Sequence, residues 1–125
     1  MNNTDIQILL QEANDCVPRL SFEEANNLIA TANTLIIDVR ETSEVEATGL
    51  IKNAVNIPKS IIDNNFDHSI IKNYLNKNED ITILVYCAAG IRSAIVGHKL
   101  IKEDYINVFN IGGYAEWLTN EELNS

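Results

Sequence analysis

Two stretches of this chain are apolar at almost every position. Leu35-Ile36-Ile37 runs into Asp38-Val39, and Ile81-Thr82-Ile83-Leu84-Val85-Tyr86 runs up to Cys87. A strand with one face in water alternates polar and apolar residues, whereas a strand covered on both faces does not. Both runs therefore predict buried strands of a parallel sheet. Elsewhere the period changes. Ile6, Leu9, Leu10 and Ala13 recur at helical spacing. They predict a short amphipathic helix from residue 4 to about 12, with Thr4 and Gln7 as a capping box and Val17-Pro18-Arg19 as its end. Ser21 and Glu24 form a second capping box, starting a helix through about Ala30. Residues 49–58 read as irregular, with a short strand over 54–57. Ile61-Ile62 and residues 70–75 read as two helical pieces joined by a polar loop. Ile95, Val96, Leu100 and Ile101 give a packing face to a helix over 93–103. A short strand over 107–110 is broken by Gly112-Gly113, and a last helix begins over 114–118. Strands alternating with helices predict an α/β fold, a parallel sheet with helices on both faces. The 125 residues make one domain, over 18–125, with 1–17 as an N-terminal helical extension.

Charge narrows the function. Eighteen acidic side chains against nine basic ones leave a formal charge of −9. That opposes nucleic acid, whose affinity comes largely from phosphate neutralisation, and an anionic membrane surface. It does not exclude a small anionic substrate, because a local field can oppose the net charge. No apolar run is long enough to span a bilayer or direct export, so a cytoplasmic location is expected. Cys16 and Cys87 form no CxxC pair, and two histidines give no zinc spacing. No metal or other cofactor is expected. In a reducing compartment free thiols are usual.

Cys87 has the most informative surroundings. It closes a buried strand, and Ala88-Ala89-Gly90-Ile91-Arg92-Ser93 follow. Ligands of open α/β sheets bind beyond the carboxyl ends of strands. A loop leading into a helix N-terminus offers free backbone N–H groups. With so few large side chains it can curl around one atom, and Gly90 is free to take a positive φ. Such a nest stabilises an anion and lowers a thiol pKa. Cys87 as a mere apolar strand end leaves the rest of the loop unexplained.

Val85-Tyr86-Cys87-Ala88-Ala89-Gly90-Ile91-Arg92-Ser93-Ala94 resembles the active loop of the rhodanese sulfurtransferases. Three other blocks resemble the same family, in the same order. They are Ile37-Asp38-Val39-Arg40-Glu41 with Glu44, Gly49-Leu50-Ile51 through Ala54-Val55-Asn56-Ile57-Pro58, and Asn107-Val108-Phe109-Asn110-Ile111-Gly112-Gly113 with Trp117. Leu50 stands where the family usually carries a histidine. The resemblance implies a parallel five-stranded sheet flanked by helices. It implies that Cys87 takes sulfane sulfur from a small donor as a persulfide and passes it to cyanide, a thiol or a protein acceptor. The alternative is a persulfide carrier, redox sensor or interaction module that uses the same cysteine without turnover.

The neighbours take roles accordingly. Cys87 is the expected nucleophile, cradled by backbone N–H groups of Ala88, Ala89, Gly90, Ile91, Arg92 and Ser93. The Arg92 side chain either attracts an anionic donor or buttresses the loop, or does both. Asp38, Arg40 and Glu44 are expected to fix loops through hydrogen bonds and a salt bridge. His68 and His98 read as surface residues, Cys16 as a bystander, and Tyr114 and Trp117 as packing for the last helix. Tyrosine phosphatases place five residues between their cysteine and arginine. Here there are four, a tighter cup that suits one sulfur better than a phosphate.

Overall fold

β1 (Thr34–Asp38) and β3 (Thr82–Cys87), the strands of the two apolar runs, lie side by side in a parallel sheet. Alternate residues of both strands enter different cores. Leu35, Ile37, Ile83, Val85 and Cys87 face one, while Ile36, Leu84 and Tyr86 face the other. Burial on both faces is the reason neither strand alternates in polarity. The computed structural model describes residues 3–65, 69–72 and 81–124. His68 and the latter part of the helical piece expected over 70–75 lie outside the described residues.

β2 (Ala54–Asn56) pairs with the free edge of β1, and β4 (Asn107–Gly113) with the other edge of β3. The order is β2-β1-β3-β4, parallel throughout. The sheet thus has four strands among the described residues, not five. The segment beside β4 makes only an isolated bridge, Arg19 to Asn110. Leu20 donates its N–H to the Asn110 carbonyl at 3.0 Å, and Asn110 donates to the Pro18 carbonyl at 3.0 Å. Pro18 has no N–H to extend the ladder. Helix α1 (Asn3–Cys16) ends just before this segment and α2 (Phe22–Thr31) starts just after it, leaving residues 17–21 between them.

Gly112-Gly113 does not break β4. The strand continues through an irregularity in which Val85 pairs with Asn110 but Tyr86 with Gly112. Gly112 has φ 96°, which a glycine adopts without strain.

The Ser21 box caps α2 as expected. Ser21 Oγ accepts from the Glu24 N–H at 3.1 Å, and Glu24 Oε1 accepts from the Ser21 N–H at 3.0 Å. α1 begins one residue before Thr4 and runs on to Cys16, burying Ala13. It packs on α6 (Ile91–Lys102). Gly97 of α6 permits this, since a Cβ there would stand 2.9 Å from Val17 Cγ1. Covered by α1 as well as by the sheet, α6 buries Val96 and Leu100, and also His98. His98 is therefore not the surface residue its spacing suggested. A short helix, α3 (Thr42–Thr48), buries no residue, so no apolar stripe announces it. α4 (Lys59–Asn65) and α5 (Ser69–Lys72) cover the expected pieces that are described, and α7 (Tyr114–Leu123) closes the chain. Among the described residues no helix is long and apolar enough to cross a membrane.

Candidate active site

Cys87 ends the central strand with 1% of its surface exposed. The chain then turns through Gly90, at φ 99°, directly into α6. That turn aims backbone donors back at the sulfur. The Gly90 N–H donates to Cys87 Sγ at 3.0 Å and the Ser93 N–H at 3.4 Å, while Ser93 Oγ lies 3.4 Å away. Burial pushes the Cys87 thiol up. Hydrogen bonds from the Ser93 side chain and from the N–H groups of Ser93, Ala89 and Gly90 outweigh it, and the pKa is lowered. The start of α6 adds the positive end of its dipole. Of the six loop residues expected to cradle the sulfur, Gly90 and Ser93 donate their N–H groups to it, and the Ala89 N–H helps to lower its pKa. Ala88 instead sets its carbonyl against Gly113, where a Cβ would lie 2.5 Å from the oxygen. The Ile91 side chain is exposed.

Arg92 buttresses the loop. Its two terminal nitrogens donate to Glu44 Oε2 at 2.7 Å and Oε1 at 2.9 Å, a bidentate pair. Glu44 Oε2 also accepts from the Glu41 N–H at 2.8 Å. The Arg92 hydrogen bonds and then the Glu41 N–H hold the Glu44 carboxyl well below its ordinary 4.5, at about 2. A depressed carboxyl stabilises the fold fully above its unfolded pKa, and loses that contribution as pH falls through the folded one. Glu44→Gln should therefore flatten the acid limb of stability between about pH 4.5 and 2, as read by urea denaturation at several pH values. Both partners are about a third exposed, so the effect at neutral pH is small.

Asp38 and Arg40 stand at the end of β1, beside Tyr86. The Asp38 carboxylate accepts from the Arg40 backbone N–H at 2.9 Å, from its Nε at 3.1 and 3.0 Å, and from Nη2 at 2.7 Å. Arg40 reaches on to Thr48 Oγ1 at 2.8 Å and the Gly49 carbonyl at 2.9 Å, and its guanidinium lies 4.2 Å from the centroid of the Tyr114 ring. These contacts tie the end of β1 to the C-terminal end of α3. Trp117 packs edge-on against Phe22 at 4.6 Å.

Asn110 was not singled out from the sequence beyond its motif. Buried in β4, it ties three pieces of the cradle together. Its Oδ1 accepts from Ser93 Oγ at 2.8 Å and from the Gly112 N–H at 3.0 Å, and its Nδ2 donates to the Gly90 carbonyl at 3.0 Å. An asparagine midway along a short apolar strand is the one signal that marks it. Cys16 and His98, for which no catalytic part is expected, make none of the hydrogen bonds to the sulfur. Cys16 is an exposed free thiol at the end of α1. No hydrogen bond joins His98 to Cys87.

Three kinds of similarity bear on this site. A Staphylococcus aureus rhodanese-like domain protein is 33% identical at a TM-score of 0.60, over 81% of this chain and 91% of that one. A human single-domain sulfurtransferase matches at 24% identity and TM-score 0.65, over 82% of this chain and 96% of that one. A Rhodopseudomonas palustris protein described as a possible tyrosine phosphatase matches at 24% and 0.80, over 97% and 94%. The last two share the fold. A tRNA uridine(34) hydroxylase of Photorhabdus laumondii is 27% identical over 78% of this chain. Another, from Prochlorococcus marinus, is 29% identical over 78%. The chain spans only 27% and 33% of their lengths. The model of the rhodanese-like domain matches residues 21–120, from the α2 cap through the Cys87 loop to the last helix, and the chain belongs to that family.

Proposed function

We propose that this protein is a sulfurtransferase whose nucleophile is Cys87. The observation that carries the reading is the buried sulfur ringed by N–H groups at the start of α6. The Cys87 thiolate attacks the outer sulfur of a donor such as thiosulfate. The donor's S–S bond breaks, its electron pair leaves with sulfite, and a Cys87 persulfide forms. A thiophile then attacks the outer sulfur, so that cyanide becomes thiocyanate and the Cys87 thiolate returns. Each step makes one bond to sulfur and breaks one, so no electron carrier is needed. The N–H groups stabilise the anion in both resting states, which is how a nest promotes covalent catalysis. The hydroxylase activity named for the curated relatives is not transferred, because the chain matches a third or less of those proteins and its charge of −9 opposes a phosphate-rich substrate.

A second reading is a persulfide carrier that turns over only with a protein partner. It is favoured by Arg92, whose pairing with Glu44 leaves the loop without its own free cation for a dianionic donor. One experiment separates the two. Intact mass is measured before and after thiosulfate, beside thiocyanate production from cyanide, for the wild type and Cys87→Ser. Sulfur gain and thiocyanate in the wild type alone are expected. Sulfur gain without thiocyanate selects the carrier. No gain from any sulfane donor overturns both.

A further inference from the structure

A cleft of about 270 Å³ opens between α1 and the Cys87 loop. Leu10, Asn14, Val17 and Arg19 form one wall, and Gly90 and Ile91 belong to the other. The first wall lies wholly outside residues 21–120, beyond the part of the chain that the family domain matches. Arg19 is the cation of the cleft. It donates one hydrogen bond, to the exposed Glu116 at 3.1 Å, and its side chain is half-exposed. Its guanidinium lies against the loop: a Cβ on Gly90 would stand 3.2 Å from Nη1, and one on Gly112 would collide with Nη2. Gly90 thus gives its N–H to the Cys87 sulfur and turns its Cα towards Arg19. Arg92, by contrast, is held bidentately by Glu44. Arg19, supplied by the segment after α1, is the more exposed of the two basic groups beside this loop and is held by a single hydrogen bond rather than two.

We propose that this cleft binds the carboxylate end of an organic thiol or persulfide, with Arg19 as the anion-recognising residue and α1 as the wall that selects for size. The proposal deepens the sulfurtransferase reading and rests on it for the ligand's sulfur. An inorganic sulfur oxyanion would leave most of the volume empty. Leu10, Val17 and Ile91 give the cleft an apolar lining for a short carbon chain, and Asn14 adds a polar group. Small-molecule sites combine such a lining with a few placed polar groups in this way. A half-exposed guanidinium, paired only at Nη2 with the exposed Glu116, adds the charge complementarity in an otherwise acidic protein.

The test uses the full chain and two unreactive probes of equal size, N-acetyl-S-methylcysteine and its primary amide, titrated while backbone amide shifts are followed by NMR. The acid should shift the amides of Asn14, Gly90 and Ile91, and bind about tenfold or more tighter than the amide probe. Arg19→Gln should erase that difference. Arg19 also supports the loop, so a second pair of variants leaves it in place. At exposed Asn14, Asn14→Lys should tighten the acid and Asn14→Asp weaken it, by about twofold each. Equal binding of the two probes, acid binding that survives Arg19→Gln, or an Asn14 pair that moves together would overturn the proposal. No sulfur moves in this titration. A protein that binds the acid but forms no persulfide would keep the cleft and lose the sulfurtransferase reading, and the converse result would do the reverse.

Discussion

Asp38→Ala is expected to lower the stability of this protein by about 3–5 kcal/mol, a large part of the 5–15 kcal/mol that ordinarily holds a domain together. The reason is burial. Asp38 is 0% exposed and Arg40 3%. Removing the carboxylate strands a guanidinium that water cannot reach, with its three contacts to Asp38 and the bond from the Arg40 backbone N–H lost at once. Burial alone pulls the Arg40 pKa down, and the hydrogen bonds and charge of Asp38 raise it above the ordinary value. The three other described ion pairs, Arg19–Glu116, Lys59–Asp63 and Arg92–Glu44, involve side chains a quarter to two-thirds exposed. Pairs of that kind contribute about 0–1 kcal/mol each. Arg40→Met alone should also destabilise strongly. Asp38→Leu with Arg40→Met should lose much less than the sum, because removing both charges leaves none unpaired. Urea midpoints with unchanged slopes would measure all three. A loss within about 0.5 kcal/mol for Asp38→Ala would mean that Arg40 finds water, contrary to its burial.

The consequence extends to the loop. Arg40 holds Thr48 and Gly49, at the end of α3, while Glu44 within α3 holds Arg92. A single buried carboxylate at the end of β1 thereby sets the position of the helix that buttresses the Cys87 loop. Asp38 and Arg40 touch no reacting atom in this arrangement. They are positioning residues, and their variants should alter loop reactivity only as far as α3 moves.

What could be read in advance follows from what leaves a pattern. Runs buried on both faces are legible because every residue must be apolar, which is why β1 and β3 fall within a residue of their expected ends. The Ser21–Glu24 cap is legible because its two hydrogen bonds are local. Glycine at position 90 foretells a tight cup, because the positive φ there suits glycine, and the small residues at 88 and 89 agree with it. α3 leaves no such trace, since it buries nothing. The missing fifth strand also escapes periodicity. Pro18–Arg19–Leu20 makes a single bridge among the described residues, since Pro18 has no N–H to extend the ladder. His98 looks like a surface residue from its own helix alone, and its burial depends on the several elements that pack around α6: α1, α4, β3 and β4. Asn110 is a case of its own. Its role lies entirely in contacts with Gly90 and Ser93, some twenty residues earlier in the chain.

Asn110→Ala should slow alkylation of Cys87 by iodoacetamide about tenfold at neutral pH and move the midpoint of its pH profile up towards that of a free thiol. The side chain does not touch the sulfur. It holds the groups that do: the Ser93 hydroxyl, the carbonyl side of Gly90 and the N–H of Gly112. Without it the Gly112 N–H loses its acceptor while the Gly90 carbonyl keeps only the Ala94 N–H at 3.2 Å, a stability loss of about 1–3 kcal/mol. The Ser93 proton deserves separate argument. One O–H faces two acceptors, Asn110 Oδ1 at 2.8 Å and Cys87 Sγ at 3.4 Å. When the proton turns to a thiolate, Asn110 Oδ1 still has the Gly112 N–H, so the switch orphans nothing. Asn110→Asp distinguishes geometry from charge. The carboxylate keeps the acceptor for Ser93 and Gly112 but cannot donate to Gly90, and it adds a negative charge near the sulfur. The midpoint should then rise further than in Asn110→Ala, because a second anion disfavours the thiolate. Unfolding measurements alone would not separate a scaffold residue from one that tunes the thiol, and the pH profile does. An unchanged midpoint in both variants, at whatever stability, would show that the cradle keeps its shape without Asn110 and that Gly90 and Ser93 are held by the turn itself.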